Sequence, residues 1–503
     1  MKRLLLAATL LATPVFAQDK PAGPDKAEKS SDIRPPIVSV TRHTGTFGGV
    51  SVAYTATTGE TYLKAEDGTP KAAIFSTSYI KDGRDPNRPI TFLFNGGPGS
   101  GSLWLHMGAF GPKHVVIPSD ARDDGAPPYP IVANPDSLLD VTDIVFIDPV
   151  GTGFSRALGK TEAKSYWGVT ADAKSISEFI RLWLSENNRW NSPKFIGGES
   201  YGTTRSVAVA NELEGGSYND VALNGIILIS TILDFGAQAE VPGNEMSYVV
   251  NMPTMATTAW YHNKVADKPA EVSTWAAEAR AFASGPYLTA LMKGNRLAGE
   301  ERASIRKQLS RFTGLSEQFL ENADLRVTPG RFYKELLRDR KLTVGRLDSR
   351  YTGVDYDAAG EEPDNDPAFY AIDGSYTAAM NSYVREDLGL KIDKQYVTIG
   401  GVSDWDWKLG SPTVGGRDSQ YYANVAPYLG KAMRENSGLR VFNAAGWYDF
   451  ATPFFGAEQS LTRTGMPTDR IEYHYYGAGH MMYVRDTELS ALSRDIRAFI
   501  RKR

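Results

Sequence analysis

The sequence predicts an α/β fold with a mostly parallel central sheet, and two patterns carry this prediction. Apolar strand segments alternate with helical segments between about residues 90 and 234, which is typical of a parallel sheet with helices on both faces. Before this region, short β segments separated by Gly-rich turns extend from about residue 37 to residue 81. We expect these segments to form antiparallel strands.

The alternating region supplies the predicted elements in order. Apolar runs predict strands at residues 90–94, 144–148 and 194–197, and another within residues 221–233. Helices are predicted over residues 169–186 and 203–213. The first of these helices has its apolar residues at the spacing of one helix face, namely Ile176, Phe179, Ile180, Trp183 and Leu184.

From about residue 235 to residue 397 the alternation stops, and helical segments such as 272–283 and 300–312 dominate. A strand is expected again at residues 439–443, and a last strand at 471–476 precedes a C-terminal helix. We therefore predict a core formed by residues 37–234 and 398–503, with residues 235–397 inserted as a mainly helical cap.

The N-terminus has the pattern of a secretory signal peptide over residues 1–17. Lys2 and Arg3 precede an apolar run, and Ala17 ends a small-residue cleavage site. Residues 18–36 are rich in Pro, Lys, Asp and Ser, and we expect them to be disordered. The short cleavable signal is typical of bacteria and predicts a periplasmic or secreted protein. Because no later apolar stretch is long enough to span a bilayer, we expect no membrane insertion.

Composition excludes several classes of function. The formal net charge is −4, which argues against nucleic acid or an anionic membrane as the main partner. The absence of cysteine excludes disulfides, thiolate catalysis and cysteine metal sites. The six histidines are scattered and form no His-x-x-x-His pair, so we predict neither a metal nor another cofactor.

The segment Gly198-Glu199-Ser200-Tyr201-Gly202 fits the Gly-x-Ser-x-Gly pattern. A predicted strand precedes it and a predicted helix follows it, and this is the context of the sharp turn that presents a nucleophilic serine. The context favours an α/β-hydrolase fold with Ser200 as its nucleophile. A serine hydroxyl needs a nearby base, and the base needs an orienting carboxylate.

Chain order selects the base and the acid, since in this fold they follow the serine as acid and then histidine. His480 lies in the loop after the last predicted strand, whereas the other five histidines precede Ser200 or lie in the cap or inside a strand. Asp449 is the carboxylate in the loop after the preceding strand. Asp234, at the end of the strand within residues 221–233, is the alternative acid.

Acyl transfer develops a negative oxygen that two backbone N–H groups normally stabilise. One group belongs to the residue after the nucleophile, here Tyr201. The other is expected from a Gly-rich loop early in the sheet, and residues 95–99 (Asn-Gly-Gly-Pro-Gly) end the predicted strand at residues 90–94.

These segments together resemble the serine carboxypeptidase family, in the order in which that family has them. The matching blocks are Phe94-Asn95-Gly96-Gly97-Pro98-Gly99-Ser100, Gly111-Pro112, Asp148-Pro149-Val150-Gly151-Thr152-Gly153-Phe154-Ser155, Gly198-Glu199-Ser200-Tyr201-Gly202, Gly446-Trp447-Tyr448-Asp449 and Gly477-Ala478-Gly479-His480-Met481. They extend from about residue 90 to the C-terminal part of the chain, and the predicted cap contains no block that matches.

The resemblance implies an enzyme that removes single residues from the C-termini of peptides. It also implies that Gly97 and Tyr201 donate to the oxyanion, and that Asn95, the Gly96 N–H and Glu199 bind the terminal carboxylate of the substrate. Glu199 can donate to another carboxylate only when it is protonated. Substrate affinity is therefore expected to fall as the pH rises through the pKa of Glu199.

The sequence departs from the family pattern in two places. The family often has a second glutamate shortly before the Gly-Pro step, where this chain has Ala109, so a smaller increase in the pKa of Glu199 is expected. Ser100 stands where a cysteine is common. Two other functions stay open: an esterase or acyltransferase on the same triad, and a binding protein without catalysis. Side-chain preference and oligomeric state are not predicted.

Overall fold

The computed structural model describes residues 33–83, 85–215, 219–409 and 423–502. The predicted signal peptide, residues 1–17, and residues 18–32 of the predicted disordered segment lie outside the described residues. Of the last four residues of that segment, Arg34 contacts the sheet, because its guanidinium donates to both carboxylate oxygens of Glu60 at 2.5 and 2.9 Å.

Fourteen strands lie in the described ranges, and ten of them form one sheet. Their bounds are β1 Val38–Phe47, β2 Val50–Lys64, β3 Pro70–Lys81, β4 Ile90–Phe94, β5 Lys113–Val115, β6 Ile131–Ala133, β7 Asp143–Asp148, β8 Arg156–Ala157, β9 Lys194–Ser200, β10 Gly225–Thr231, β11 Thr343–Val344, β12 Thr352–Gly353, β13 Arg440–Gly446 and β14 Ile471–Tyr476.

The strand order of the large sheet is β1-β2-β3-β7-β4-β9-β10-β13-β14, with β8 paired to β3. The pairs β1–β2, β2–β3 and β3–β7 are antiparallel. All pairs from β7 to β14 are parallel. The predicted fold class, a mostly parallel sheet with antiparallel N-terminal strands, is therefore confirmed.

Thirteen α-helices lie in the described part of the chain. They are α1 Val169–Glu186, α2 Tyr201–Leu213, α3 Glu245–Tyr261, α4 Val272–Phe282, α5 Leu288–Lys293, α6 Gly299–Thr313, α7 Glu317–Asn322, α8 Pro329–Glu335, α9 Pro367–Tyr370, α10 Asp373–Glu386, α11 Ala426–Glu435, α12 Phe454–Leu461 and α13 Asp486–Arg501. None of these helices is both long and apolar enough to cross a membrane.

Helices cover both faces of the sheet because successive side chains of each strand point to opposite faces. In β4, Phe92 contributes to one buried core, which it shares with α1, α2 and α11. The next residue, Leu93, contributes to the core on the opposite face, which it shares with α10 and α13. Both faces of the parallel strands are thus apolar, as a doubly covered sheet requires.

The chain between β10 and β13 is mainly helical, and its helices pack in two different cores. Helices α3 to α8 enclose a third core around Trp275 and Phe312, which also includes Trp447 and Phe454. Tyr376 and Tyr383 of α10 instead pack in a core of the sheet. The division that places residues 235–397 in a separate cap stays a prediction.

The parallel strands place the loops of interest together. The carboxyl ends of parallel strands lie at one edge of a sheet, and ligands of such folds bind there. At this edge, β4 leads into Asn95, β9 ends at Ser200, β13 leads to Asp449, and β14 leads to His480.

Candidate active site

Ser200 occupies the sharp turn between β9 and α2. Its backbone has φ 61° and ψ −131°, a conformation that costs energy for any residue other than glycine. A Cβ atom on Gly198 would lie 2.1 Å from the carbonyl oxygen of Gly202, so the turn has no room for a side chain there. The strand extends to Ser200 and the helix begins at Tyr201, which makes the turn tighter than the sequence predicts.

His480 and Asp449 are joined by a hydrogen bond of 2.9 Å between Nδ1 of the imidazole and Oδ2 of the carboxylate. Both side chains are buried. Burial alone would raise the pKa of Asp449, but the positive charge and hydrogen bond of His480 hold it below its usual value. Burial opposes the charged form of His480 as well, yet the Asp449 carboxylate raises the pKa of the imidazole. The pair can therefore hold a proton on His480.

Thr452 is a further partner of this pair that sequence reasoning missed. Its backbone N–H donates to Oδ1 of Asp449 at 3.0 Å, and its hydroxyl donates to Oδ2 at 2.6 Å. A threonine three residues after an aspartate in a loop is a local signal for such a turn. The two bonds fix the plane of the Asp449 carboxylate.

The loop that carries His480 is held by a segment between β11 and β12. The His480 N–H donates to the carbonyl oxygen of Leu347 at 2.6 Å, and the Gly479 N–H donates to Oδ2 of Asp348 at 2.9 Å. Arg350 pairs with the same carboxylate at 2.6 Å. These contacts join distant parts of the sequence, so no pattern in the sequence indicates them.

Strand β10 contacts both Ser200 and His480. Thr231 pairs with Ser200 across the sheet, and the preceding residue, Ser230, donates its hydroxyl to the His480 carbonyl oxygen at 2.5 Å. Among the described residues, no hydrogen bond joins the Ser200 hydroxyl to His480. Such bonds often tighten only when substrate binds.

The loop after β4 lies against the turn at Ser200. A Cβ atom on Gly96 would be 2.5 Å from the amide nitrogen of Tyr201 and 2.7 Å from the carbonyl oxygen of Glu199. Tyr201 is the first residue of α2, and the first N–H groups of a helix have no partner within the helix. Gly97 follows in a left-handed conformation with φ 101°. The arrangement brings the backbones of both predicted oxyanion donors into one region.

Arg205 of α2 contacts the loop after β4, and no role for it was predicted from the sequence. Its side chain is fully buried, pairs with Asp172 of α1 at 2.6 Å and donates to the carbonyl oxygen of Asn95. The Asn95 side chain accepts a hydrogen bond from the Leu105 N–H at 3.0 Å. Asn95 is thus held at both its backbone and its side chain.

Glu199 is buried beside the triad residues, and Asn95 contacts it. Nδ2 of Asn95 donates to Oε1 of Glu199 at 3.1 Å. Burial raises the pKa of Glu199 to about 7, although the positive charge of His480 opposes this shift. The predicted carboxylate-binding residues Asn95, Gly96 and Glu199 therefore lie together, and the glutamate can carry a proton near neutral pH.

Residues 57–486 match the family model of the serine carboxypeptidases. This chain belongs to the serine carboxypeptidase family. Among curated proteins of Arabidopsis thaliana, serine carboxypeptidase-like 13 is 30% identical over 31% of this chain and 35% of its own length. Serine carboxypeptidase-like 7 is 33% identical over 28% of this chain and 31% of its own length. The chain thus spans about a third of the length of the curated relatives it matches.

The fold is also similar to that of Kex1(Δ)p, a prohormone-processing carboxypeptidase from Saccharomyces cerevisiae. The TM-score is 0.51 at 15% identity, over 89% of this chain and 91% of that chain. At this level of identity the likeness concerns the fold alone.

Ala109 stands at the position where the resemblance implies a second glutamate in many relatives. Ala109 is buried in a π-helical turn, Leu105–Phe110, and contributes no charge. The pKa of Glu199 is nevertheless raised, because burial is its largest cause and acts without a second carboxyl. Glu199 has another partner instead, since Tyr483 donates its phenol hydrogen to Oε2 at 2.5 Å.

Two of the histidines that were not selected as the base have other partners, and so does the alternative acid. Nε2 of His106 lies 2.6 Å from the Tyr79 hydroxyl, and Nε2 of His262 lies 2.6 Å from the Ser349 carbonyl oxygen. Asp234, the alternative acid, forms an ion pair with Arg463. Within the described ranges, no group of three or more His, Asp or Glu side chains lies together as a metal site requires.

Proposed function

We propose that this chain is a serine-type carboxypeptidase that releases C-terminal residues from peptides through an acyl-enzyme on Ser200. The observation that carries the proposal is the buried Glu199, bonded to Asn95 and placed directly before Ser200. A protonated carboxyl at that point can donate to the terminal carboxylate of a peptide. A substrate whose end cannot accept this bond would leave the Asn95 and Glu199 donors unpaired.

The reaction follows from the roles of the three triad residues. His480 takes the proton of the Ser200 hydroxyl as the oxygen attacks the last peptide carbonyl, and Asp449 stabilises the imidazolium that forms. The N–H groups of Gly97 and Tyr201 donate to the developing oxyanion. His480 then protonates the leaving amine, so the terminal residue departs as a free amino acid.

Water completes the cycle. His480 removes a proton from a water molecule that attacks the acyl carbon. As the bond to the Ser200 oxygen breaks, His480 returns that proton to the oxygen, and the shortened peptide leaves with its new carboxylate. During the acylation step Asn95, the Gly96 N–H and Glu199 are the groups that bind the substrate's terminal carboxylate, which then leaves with the released amino acid. This site sets the cleavage point at one residue from the end.

A pair of matched substrates tests the proposal. An N-blocked dipeptide with a free C-terminus is expected to have a kcat/KM at least about 100-fold above that of its C-terminal amide, since the amide leaves Asn95 and Glu199 with the wrong partner. S200A is the control and abolishes both reactions. Equal rates on the two substrates contradict the proposal and favour an esterase or an acyltransferase. Faster cleavage of the matching ester would identify an esterase, and transfer products would identify an acyltransferase.

A fluorophosphonate probe tests the remaining alternative, a binding protein without catalysis. We expect the probe to label the wild-type chain and not S200A, because only an activated serine reacts readily. An unlabelled wild-type chain contradicts a serine hydrolase of any kind.

We also propose that the chain is exported with cleavage after Ala17. The support is the basic start at Lys2 and Arg3, followed by an apolar run and a small residue at the cleavage position. N-terminal sequencing of protein recovered from a periplasmic extract of a bacterial host is expected to begin at Gln18. Recovery of the uncleaved chain from the cytoplasm contradicts export.

A further inference from the structure

Tyr483 occupies the space beside Glu199 that small residues of the neighbouring turn leave open. It lies in a 3₁₀ turn, Met482–Val484, three residues after His480. A Cβ atom on Gly108 would lie 2.7 Å from Cε2 of Tyr483, so the tyrosine ring packs directly against the turn that contains Ala109. Both partners are buried, with Tyr483 only 2% and Glu199 only 4% exposed.

The contact uses the second oxygen of the Glu199 carboxyl. Oε1 accepts from Asn95 at 3.1 Å, and Oε2 accepts from the Tyr483 hydroxyl at 2.5 Å. Two donors from different loops therefore fix the plane of the carboxyl. A phenol adds a hydrogen-bond donor to the carboxyl without adding a negative charge.

We propose that Tyr483 is a positioning residue that orients Glu199 and controls its protonation, and through it the recognition of the substrate's terminal carboxylate. This inference rests on the proposed carboxypeptidase function. Tyr483 acts as a neutral partner that stabilises the ionised form of Glu199.

The groups around Glu199 determine the direction of the effect. Burial raises the pKa of Glu199 to about 7, whereas the positive charge of His480 and the hydrogen bond from Tyr483 lower it. The negative charge of Asp449 raises this pKa, and the bond from Asn95 lowers it. Burial also raises the pKa of Tyr483 and of its neighbour Tyr376 on α10 well above the usual value, so both phenols stay neutral.

Removal of the Tyr483 hydroxyl tests whether this residue controls the protonation of Glu199. In Y483F the ionised Glu199 loses a donor, so its pKa rises and the protonated, substrate-binding form persists to higher pH. The pH at which KM for an N-blocked dipeptide begins to rise is expected to move upward by on the order of one unit. The value of kcat at low pH is expected to change little, because Asp449 and His480 are untouched.

Three further variants make the test specific. Y376F removes the hydroxyl of the neighbouring buried tyrosine, to which Glu199 is not hydrogen-bonded among the described residues, and leaves the KM profile in place. The double variant E199Q/Y483F has no carboxyl to titrate, so its profile matches that of E199Q. Replacement of Tyr483 by 3-fluorotyrosine keeps the ring and strengthens the donor, so the rise in KM moves to lower pH. The last variant also serves if Y483F fails to fold.

A direct titration separates this inference from the proposed function. In protein labelled with ¹³C at the glutamate carboxyl, the Glu199 signal, assigned by its loss in E199Q, is expected to titrate at higher pH in Y483F than in the wild type. Peptide hydrolysis with an unmoved titration and KM profile overturns the role of Tyr483 and leaves the carboxypeptidase proposal standing. A moved titration in a chain that hydrolyses no peptide overturns the carboxypeptidase proposal and, with it, the role in substrate recognition.

Discussion

Gly96 lies directly against the backbone amide of Tyr201, and a Cβ atom on this glycine would be 2.5 Å from the amide nitrogen. The neighbouring atoms at this point are backbone, which cannot move aside as a flexible side chain can. The contact therefore sets how closely the loop after β4 approaches the turn at Ser200. It is the contact on which the proposed oxyanion site of Gly97 and Tyr201 depends.

The variant G96A is expected to lower kcat by about 100-fold, because the loop must shift and the oxyanion donors lose their alignment. The chain offers a matched control in Gly285, where a Cβ atom meets no heavy atom within 4 Å. Steady-state kinetics with an N-blocked dipeptide compares G96A and G285A, with thermal unfolding to show that both are folded. Wild-type kcat in folded G96A contradicts the oxyanion assignment.

The choice between the two candidate acids can be measured. D449N is expected to lower kcat by about 10³- to 10⁴-fold, since the amide no longer stabilises the imidazolium or fixes the productive tautomer of His480. D234N is the control and is expected to keep nearly full activity, because Asp234 contacts Arg463 and the backbone of Gly236. A loss in D234N comparable to that in D449N argues against our assignment.

The raised pKa of Glu199 predicts how substrate binding depends on pH. Below about pH 7 the carboxyl is protonated and donates to the substrate; above it the anion repels the substrate carboxylate, so KM rises with pH. In E199Q the side chain keeps a donor without a titrating proton, and KM is expected to be flat from about pH 5 to about pH 9. E214Q changes another half-buried glutamate with a raised pKa and retains the wild-type profile. A flat wild-type profile refutes the role of Glu199.

Arg205 offers a test of stability. The ion pair with Asp172 is almost completely buried, so R205M leaves an unpaired buried carboxylate and is expected to reduce the free energy of unfolding by about 3–5 kcal/mol. R205M/D172L removes the orphaned charge and should recover much of this loss. R306M, at a more exposed ion pair, is expected to cost much less. Urea denaturation measures all three, and equal stabilities of R205M and R306M disagree with this account.

Much of the fold was predictable from periodicity. The helix over residues 169–186 and the strand over residues 90–94 match α1 and β4 at both ends. Apolar residues recur at a single period in these segments, and burial on the sheet reinforces the local preference. The residues at which the turn at Ser200 begins and ends were less predictable. They depend on how closely the backbone of Gly198 approaches that of Gly202.

The candidate site also has residues that the sequence could predict and residues that it could not. Ser200, Asp449 and His480 could be selected because the order of strands places their loops at one edge of the sheet. Tyr483 could not, because its contact with Glu199 joins residues 284 positions apart and no chemical motif marks a tyrosine in that role. The support of His480 by Leu347 and Asp348 likewise depends on how the inserted segment packs.

The most direct test of the central proposal is digestion of a mixture of peptides of known sequence, followed by mass spectrometry over time. We expect a ladder in which each peptide loses one residue at a time from its C-terminus, with no ladder from S200A and none from peptides blocked as C-terminal amides. Internal cleavage, shortening from the N-terminus, or a ladder that persists in S200A would contradict a serine carboxypeptidase that uses Ser200.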